Sequence, residues 1–238
     1  NIFIVDKNIN LDIDFDLDDF DLSFLSSFGK NKVNKINGLV TGKLNLWGSM
    51  SDIKLKGQTF INKGNLYLPI TNTEYRIKDR TPIFFQDQSI KFVNTELVDT
   101  YENTFATANG TLFHKNFKEW GIDLDVTSQR LLVFNKTKNL ESRFYGKGFL
   151  NGQASFSGPF KSLNLSVSGV TADGTNIVIP WQENKGLSDT SFIDFVPKSK
   201  IKLKESANAL SSFDEQLRGF EMIFDLDITR DAELEIVV

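Results

Sequence analysis

Strict alternation of apolar and polar residues is the feature that most constrains this chain. Between Asn8 and Asp18 every second residue is apolar, and the residues between them are aspartates or asparagines. The apolar members are Ile9, Leu11, Ile13, Phe15 and Leu17. A strand places alternate side chains on opposite faces, whereas a helix would scatter these residues around its circumference. The segment is therefore predicted to be a strand with one buried and one solvated face.

The same period of two recurs along most of the chain. Two segments alternate almost as strictly; their apolar members are Trp120, Ile122, Leu124 and Val126, and Phe220, Met222, Phe224, Leu226 and Ile228. Weaker alternation occurs at residues 40–48, which include Val40, Leu44 and Leu46, and at 53–61, 65–70, 106–113, 131–135, 146–158, 163–169 and 177–180. With 22 phenylalanines and 2 methionines, the composition also suits pleated surfaces. We predict an all-β fold.

Glycine-containing breakers separate many of these segments. They are Asn37-Gly38, Lys63-Gly64-Asn65, Asn109-Gly110, Asn151-Gly152, Gly158-Pro159 and Asp173-Gly174. Asn-Gly and Asp-Gly accept the positive φ angles of tight hairpin turns, so we expect turns here and antiparallel pairing of successive strands. Residues 182–197 are the best candidate for a long loop, and a helical turn is conceivable only at 23–30 and 210–220.

An internal repeat limits the architectures that the chain can adopt. Residues 42–65 match residues 152–175 without a gap, pairing for example Gly42 with Gly152 and Gly48 with Gly158. A repeat built from strands with one apolar face has to curl, stack or pair to bury that face. Two stacked sandwiches would require linker composition near the middle, and residues 103–127 show none.

We therefore predict one continuous segment over residues 1–238. Its fold is a long, twisted, mainly antiparallel sheet bent into a trough, with its apolar face lining the inside. Because both ends of the sequence are strand-like, at residues 1–5 and 234–238, we expect a piece of a longer protein, truncated at both ends.

Composition excludes several functional classes. The 27 basic and 31 acidic side chains give a net charge of −4, and no basic block could neutralise a phosphate backbone, so nucleic acid is not an expected partner. The absence of cysteine leaves no disulfide framework and no thiolate nucleophile. No run approaches the roughly 20 apolar residues of a membrane helix.

The sequence also lacks a recognisable catalytic centre. His114 is the single histidine, and no serine motif supplies a nucleophile with a base and an orienting group. The aspartates at 12, 14, 16 and 18 have a spacing like that of a calcium loop, but apolar residues separate them and no glycine turns the chain. We expect a solvated strand face there, no metal, no cofactor and no enzymatic activity.

Several short motifs follow one another in the second half of the chain. They are Gly110-Thr111-Leu112-Phe113-His114 with Trp120, Val133-Phe134-Asn135-Lys136-Thr137, Phe144-Tyr145-Gly146-Lys147-Gly148, Gly152 with Ser157-Gly158-Pro159, and the run from Thr171 to Pro180. Their order and spacing resemble the C-terminal domain of TamB-like proteins, particularly the form found in Bacteroidota. Residues 42–69 and 90–92 look like the preceding part of that domain, and 219–238 like the strand after it.

The resemblance implies that the sheet is curled into a β-taco, a U-shaped groove with an apolar interior. This groove belongs to a periplasm-spanning protein anchored in the inner membrane by a helix outside this sequence. Such proteins are similar to the AsmA-like and bridge-like lipid transfer proteins. The implied functions are phospholipid movement between the two membranes and support of outer-membrane protein assembly, with an outer-membrane barrel of the BamA superfamily, similar to TamA, as partner.

The alternation then predicts which residues contact phospholipid acyl chains. The proposed groove-lining residues are Ile9, Leu11, Ile13, Phe15, Leu17, Val40, Leu44, Leu46, Trp120, Ile122, Leu124, Val126, Phe220, Met222, Phe224, Leu226 and Ile228. Two other functions stay open. One is a module that accepts a client strand by β-augmentation and helps the barrel to assemble outer-membrane proteins. The other is a soluble β-sandwich with a dry core.

Overall fold

A computed structural model describes residues 10–23, 35–138, 144–180 and 220–237. These residues form thirteen strands of one sheet, and none of them is in an α-helix. The strands are β1 (Asn10–Asp21), β2 (Lys35–Ser49), β3 (Asp52–Leu68), β4 (Thr73–Ile77), β5 (Thr81–Asp87), β6 (Ser89–Asp99), β7 (Phe105–Phe113), β8 (Gly121–Lys136), β9 (Tyr145–Pro159), β10 (Leu163–Thr171), β11 (Asn176–Pro180), β12 (Phe220–Asp227) and β13 (Glu233–Val237). The predicted all-β, mainly antiparallel fold is confirmed.

Three pairs of strands share a position in the sheet, so the thirteen strands fill ten positions. β4 and β5 both pair with β3 and β6, one after the other along the same line. β10 and β11 both pair with β9, and β12 and β13 continue outside them. Residues 78–80 separate β4 from β5, and residues 172–175 separate β10 from β11. Each insertion interrupts a strand without changing the order of its neighbours.

The prediction that successive strands pair antiparallel is correct for most of the sheet and wrong at its last position. All neighbours from β1 to β11 pair antiparallel, but β12 pairs with β10 in parallel and β13 pairs with β11 in parallel. A parallel neighbour requires a crossover of a dozen residues or more, and residues 181–219 make this connection. They lie outside the described residues, together with the predicted loop at 182–197 and nearly all of both candidate helical turns, 23–30 and 210–220.

The turn predictions were wrong at four of the six breaker sites. Gly158-Pro159 precedes the turn between β9 and β10, and Asp173-Gly174 lies between β10 and β11. The other four sites lie inside strands: Asn37-Gly38 in β2, Lys63-Gly64-Asn65 in β3, Asn109-Gly110 in β7 and Asn151-Gly152 in β9.

Close approach of neighbouring backbones explains two of these glycines. A Cβ on Gly110 would lie 2.2 Å from the carbonyl oxygen of Asp123, and one on Gly152 would lie 2.2 Å from that of Ser168. Both contacts are far shorter than any that a side chain tolerates. Glycine is therefore required because the strands nearly touch, and not because the chain turns.

The sheet rolls over at the end of the strands where β3 turns into β4. In the sheet order β6 and β7 separate β4 from β8, which in a flat sheet would place them about 14 Å apart. Instead, the Tyr75 hydroxyl donates to the Leu132 carbonyl at 2.8 Å, and the Asn135 N–H donates to the Thr71 carbonyl at 2.9 Å. Tyr75, Ala106 and Leu131 form a buried cluster beneath this contact.

A buried carboxylate stabilises the turn enclosed by this roll. Asp99 is fully buried and accepts backbone N–H bonds from Tyr101, Glu102 and Thr104 at 3.0, 2.7 and 2.6 Å. The Thr104 hydroxyl donates to the same carboxylate and accepts the Leu132 N–H at 2.8 Å. The β6–β7 turn is thereby tied to β8. A second buried cluster, Val40, Ile61 and Ile83, lies between β2 and β5.

Each copy of the predicted repeat forms a hairpin, and the strands of the two hairpins pair in the same register. Gly42 pairs with Thr59 in the β2–β3 hairpin, and the residues 110 positions later, Gly152 and Gly169, pair in the β9–β10 hairpin. The glycines before the two turns have nearly equal φ angles, 104° at Gly48 and 107° at Gly158. The two hairpins are therefore structurally equivalent along their length.

We expect Gly152→Ala to lower the free energy of unfolding by about 3 kcal/mol, because the new methyl group forces β9 away from β10. Gly148→Ala is the matched control in the same strand, since its Cβ would be 3.3 Å from the nearest atom, the Phe134 Cβ. Urea unfolding followed by circular dichroism measures both variants. Equal stability of the two would contradict the close-approach explanation.

Candidate functional site

One row of paired residues crosses the sheet from β1 to β10. Each member lies opposite the next, so the whole row is on one side of the sheet. The row consists of Leu17, Gly42, Thr59, Ile83, Phe92, Gly110, Leu124, Phe156 and Leu165. All of them except Thr59 are apolar residues or glycines. Eight steps of about 4.8 Å give a length of about 38 Å. We call this side of the sheet the apolar face.

The pairing register places the predicted groove-lining residues of four strands on this same face. Leu11, Ile13 and Phe15 pair with Gly48, Leu46 and Leu44, and Val40 and Val126 pair with Ile61 and Ala154. In β12, Phe224 and Leu226 pair with Val167 and Gly169, which belong to the apolar face of β10. The sets from β1, β2, β8 and β12 therefore share one side of the sheet.

Most of the apolar face is only partly covered. Ile122, Leu124 and Val126 are half-buried, whereas Phe15 is 40% exposed and Phe224 is 57% exposed. Glycines add depressions beside bulky side chains: Leu44 faces Gly57, and Leu124 faces Gly110. The face is therefore neither a dry core nor an ordinary polar surface.

The opposite face of the sheet is mainly polar, although Trp47, Phe60 and Ile223 are exposed on it. The Asn45 side chain donates to both Asp12 and Asp14, at 2.8 and 2.9 Å, and Lys43 lies 3.6 Å from Asp16. All of these side chains except Asn45 are exposed. Across the described ranges, no group of three or more histidine, aspartate or glutamate side chains could hold a metal ion.

Four turns meet at the end of the strands opposite the roll. Asn116 accepts the Ile53 N–H at 2.9 Å and donates to the Ser51 carbonyl at 2.5 Å, and its own N–H donates to Gln88 at 3.1 Å. The Phe160 N–H donates to the Trp120 carbonyl at 2.9 Å. We call these turns, residues 50–51, 88, 114–120 and 160–162, the rim. Side-chain bonds hold its parts in fixed positions.

His114 is the buried residue of the rim, at 5% exposed. Its Nδ1 accepts the Phe117 N–H at 3.2 Å, so Nε2 carries the ring proton. Nε2 has no hydrogen-bond acceptor among the described residues. The ring is enclosed by Phe117 and Trp120, with centroids 4.4 and 4.7 Å away, and burial lowers its pKa.

Several predicted groove residues have a different setting. Trp120 lies in the rim, where its indole N–H donates to the Phe117 carbonyl at 3.0 Å. Ile228 follows β12 and is 60% exposed. Phe220 and Met222, by contrast, have the register of the apolar face, because they pair with Leu163 and Leu165 in β10. Ile9 lies outside the described residues. Contact with lipid stays a prediction for the whole set.

Sequence reasoning missed seven of the nine members of the row, four of which are bulky apolar residues. Ile83 and Phe92 lie in strands whose alternation is interrupted, and Phe156 and Leu165 lie in β9 and β10. The internal repeat carried the signal for the last two, because they occupy the positions of Leu46 and Leu55 in the other copy.

We expect Thr59→Val to raise the free energy of unfolding by about 1 kcal/mol, because a buried hydroxyl without a partner carries an uncompensated desolvation cost. Thr59 is fully buried, and its Oγ1 has no partner among the described residues. Thr104→Val is the control, since it removes a hydroxyl that forms two hydrogen bonds and should be destabilising. Denaturant unfolding distinguishes the two, and destabilisation by Thr59→Val would contradict the prediction.

The depressed pKa of His114 predicts a loss of stability in acid. The folded state holds the ring neutral, whereas the unfolded chain binds a proton below its ordinary pKa of 6.5. The stability that depends on the neutral His114 ring is therefore fully present above pH 6.5 and is lost as the pH falls below that value. Unfolding free energies at pH 7.5 and pH 5 should fall more for the wild type than for His114→Gln, and equal losses would contradict this.

Comparison with known proteins gives one match. The family model described as TamB C-terminal domain matches residues 94–238, which run from the middle of β6 through β13. Among curated proteins and solved structures, none matches the chain. In the described part of the chain, no helix has the length and apolar character needed to cross a membrane. Because the matched region exceeds half of its length, the chain belongs to the TamB family, which acts in translocation and assembly and in the biogenesis of the outer membrane.

Proposed function

We propose that the apolar face forms a section of a periplasmic groove that carries phospholipid acyl chains between the inner and outer membranes. The role is non-enzymatic, and the sheet belongs to a protein anchored in the inner membrane. A barrel of the BamA superfamily is its outer-membrane partner. Membership in the TamB family supports the coarser role in outer-membrane biogenesis, and the properties of the sheet support the lipid ligand.

The observation that carries the proposal is the row of mainly apolar residues that crosses the sheet from Leu17 to Leu165. Adjacent members are cross-strand neighbours about 5 Å apart, so an acyl chain lying across the strands can contact the half-buried apolar members on either side of the buried pair Thr59 and Ile83. Burying one methylene stabilises the complex by about 0.8 kcal/mol, and ten methylenes therefore contribute several kcal/mol even when partly covered.

Partial exposure of the face favours a ligand over a dry core. All thirteen described strands belong to one sheet, so the described part offers no second sheet for a β-sandwich. The roll at Tyr75 covers the face at one end of the strands, while Phe15 and Phe224 remain accessible. An amphipathic ligand would cover this surface and leave its polar group in water.

β-Augmentation is the second candidate function. Among the described strands, β12 pairs only with β10, and its exposed Ile223 and Phe224 lie on opposite faces at 61% and 57% exposure. A client strand could add to its outer edge through backbone hydrogen bonds. Cross-links from clients to β12 with no lipid in the purified protein would favour this function over transport.

Leu124→Arg tests the lipid proposal. Leu124 lies in the middle of the row, half-buried opposite Gly110, so the arginine stem can lie along apolar neighbours while its guanidinium reaches water. We expect the melting temperature to change little. Lipid extraction and mass spectrometry should show loss of co-purifying phospholipid, because a charge interrupts the apolar path.

Asp123→Arg is the matched control, because it places the same side chain on the exposed polar face one residue earlier. It should keep both stability and lipid. Unfolding of Leu124→Arg would indicate a tightly packed core, and a folded Leu124→Arg with full lipid content would place the lipid elsewhere.

A further inference from the structure

A single side chain joins two distant turns at the rim. Asn116, in the turn between β7 and β8, accepts the Ile53 N–H at 2.9 Å and donates to the Ser51 carbonyl at 2.5 Å. Two strand positions lie between β3 and β7 in the sheet, which would place these strands about 14 Å apart if the sheet were flat. The two hydrogen bonds of Asn116, which we call the clasp, therefore hold the sheet curved at this end.

The clasp depends on a turn with an unfavourable backbone conformation. Asn116 and Phe117 have φ angles of 51° and 59°, a region that asparagine tolerates and a bulky residue rarely adopts. The Phe117 N–H donates to the His114 Nδ1 at 3.2 Å, and the Lys118 N–H donates to the Lys115 carbonyl at 3.0 Å. His114 thus supplies the side-chain acceptor that holds Phe117 in place next to Asn116.

A proton on His114 removes this acceptor. The neutral ring accepts through Nδ1, whereas the protonated ring has two N–H donors and would direct one of them at the Phe117 N–H. The other donor, Nε2–H, already lacks a partner in the part of the chain that the structure describes. At 5% exposure, water does not supply the missing acceptors. Stacking against Phe117 and Trp120 favours a cation but accepts neither proton.

Charged groups around the ring do not replace the lost acceptor. They belong to its own turn and to the ends of the neighbouring strands and turns: Lys115, Lys118, Glu119, Asp52, Asp87 and Lys161. Within the described ranges, none of them forms a hydrogen bond or ion pair with the imidazole. Asp52 instead accepts from Gln88 at 2.7 Å and pairs with Lys54 at 3.0 Å. Burial is the cause that lowers the pKa of His114.

We propose that the clasp is a pH-sensitive switch that opens when His114 is protonated. The proton breaks the hydrogen bond from Phe117, the turn relaxes, and Asn116 withdraws from the β2–β3 turn. The sheet then flattens at the rim, which gives access to apolar residues beneath it such as Ile90 and Leu112, a cross-strand pair of the apolar face. This property of the rim is independent of the ligand that the apolar face carries.

Hydrogen exchange of two backbone amides measures the switch. The Ile53 N–H reports on the clasp, because it donates to Asn116, and the Asn135 N–H reports on the roll, because it donates to Thr71. The open ring has the ordinary pKa of 6.5 and the closed ring a lower one, so opening becomes more favourable as the pH falls below 6.5. Between pH 7.5 and pH 5.5 the protection factor of Ile53, which corrects for the intrinsic pH dependence of exchange, should fall roughly five- to tenfold. The protection factor of Asn135 should not change.

Three variants assign the response to His114. His114→Gln keeps a side-chain acceptor that does not titrate, so its Ile53 protection should be the same at both pH values. Asp52→Asn is the matched control, because it removes another titratable group beside the rim, and it should keep the response of the wild type. Asn116→Ala removes the clasp and should leave Ile53 weakly protected at both pH values.

An Ile53 protection factor that does not change with pH in the wild type would overturn the switch, and so would an equal fall in His114→Gln. A parallel fall for Ile53 and Asn135 would mean that acid unfolds the sheet as a whole, which also overturns it.

Discussion

The backbone register between neighbouring strands is the constraint on which the rest of this structure depends. Side chains alternate between faces, so a slip of one residue would turn the apolar set of a strand towards water. Eight consecutive pairings from Leu17 to Leu165 avoid any such slip. Much of the stability has to come from this pairing, because three of the four largest fully buried side chains are the polar residues Thr59, Thr73 and Asp99.

Glycine on the apolar face links the register to the proposed function. At Gly110 and Gly152 the neighbouring backbone leaves no room for a side chain, and the same absence creates a depression in the surface. One residue type thus permits close strand approach and shapes the surface beside Leu124. Asn-Gly sequences are ordinarily evidence for hairpins, and the sequence alone does not distinguish a glycine that turns the chain from one that admits a neighbouring strand.

Strong alternation predicted the strands that carry one clean apolar face, including β1, β8 and β12. It did not predict β4, β5 and β6, because β4 and β5 are short parts of one interrupted strand and β6 contains a bulge near Asn94, whose φ angle is 48°. The roll also could not be predicted from the sequence. It depends on Tyr75 meeting Leu132, 57 residues later, and no local pattern specifies such a contact.

The shared register of the two repeat hairpins has a consequence for the proposed lipid transport. β2 and β9 are six strand positions apart, so the same backbone register recurs after about 29 Å, although the side chains differ, as at Leu44 and Ala154. A lipid on such a surface would meet a similar backbone geometry at both places, and its net displacement would average to zero unless the ends of the path differ. The apolar face itself would thus give the movement no direction. The direction of the flux would be set by the difference in the chemical potential of lipid between the two ends of the groove.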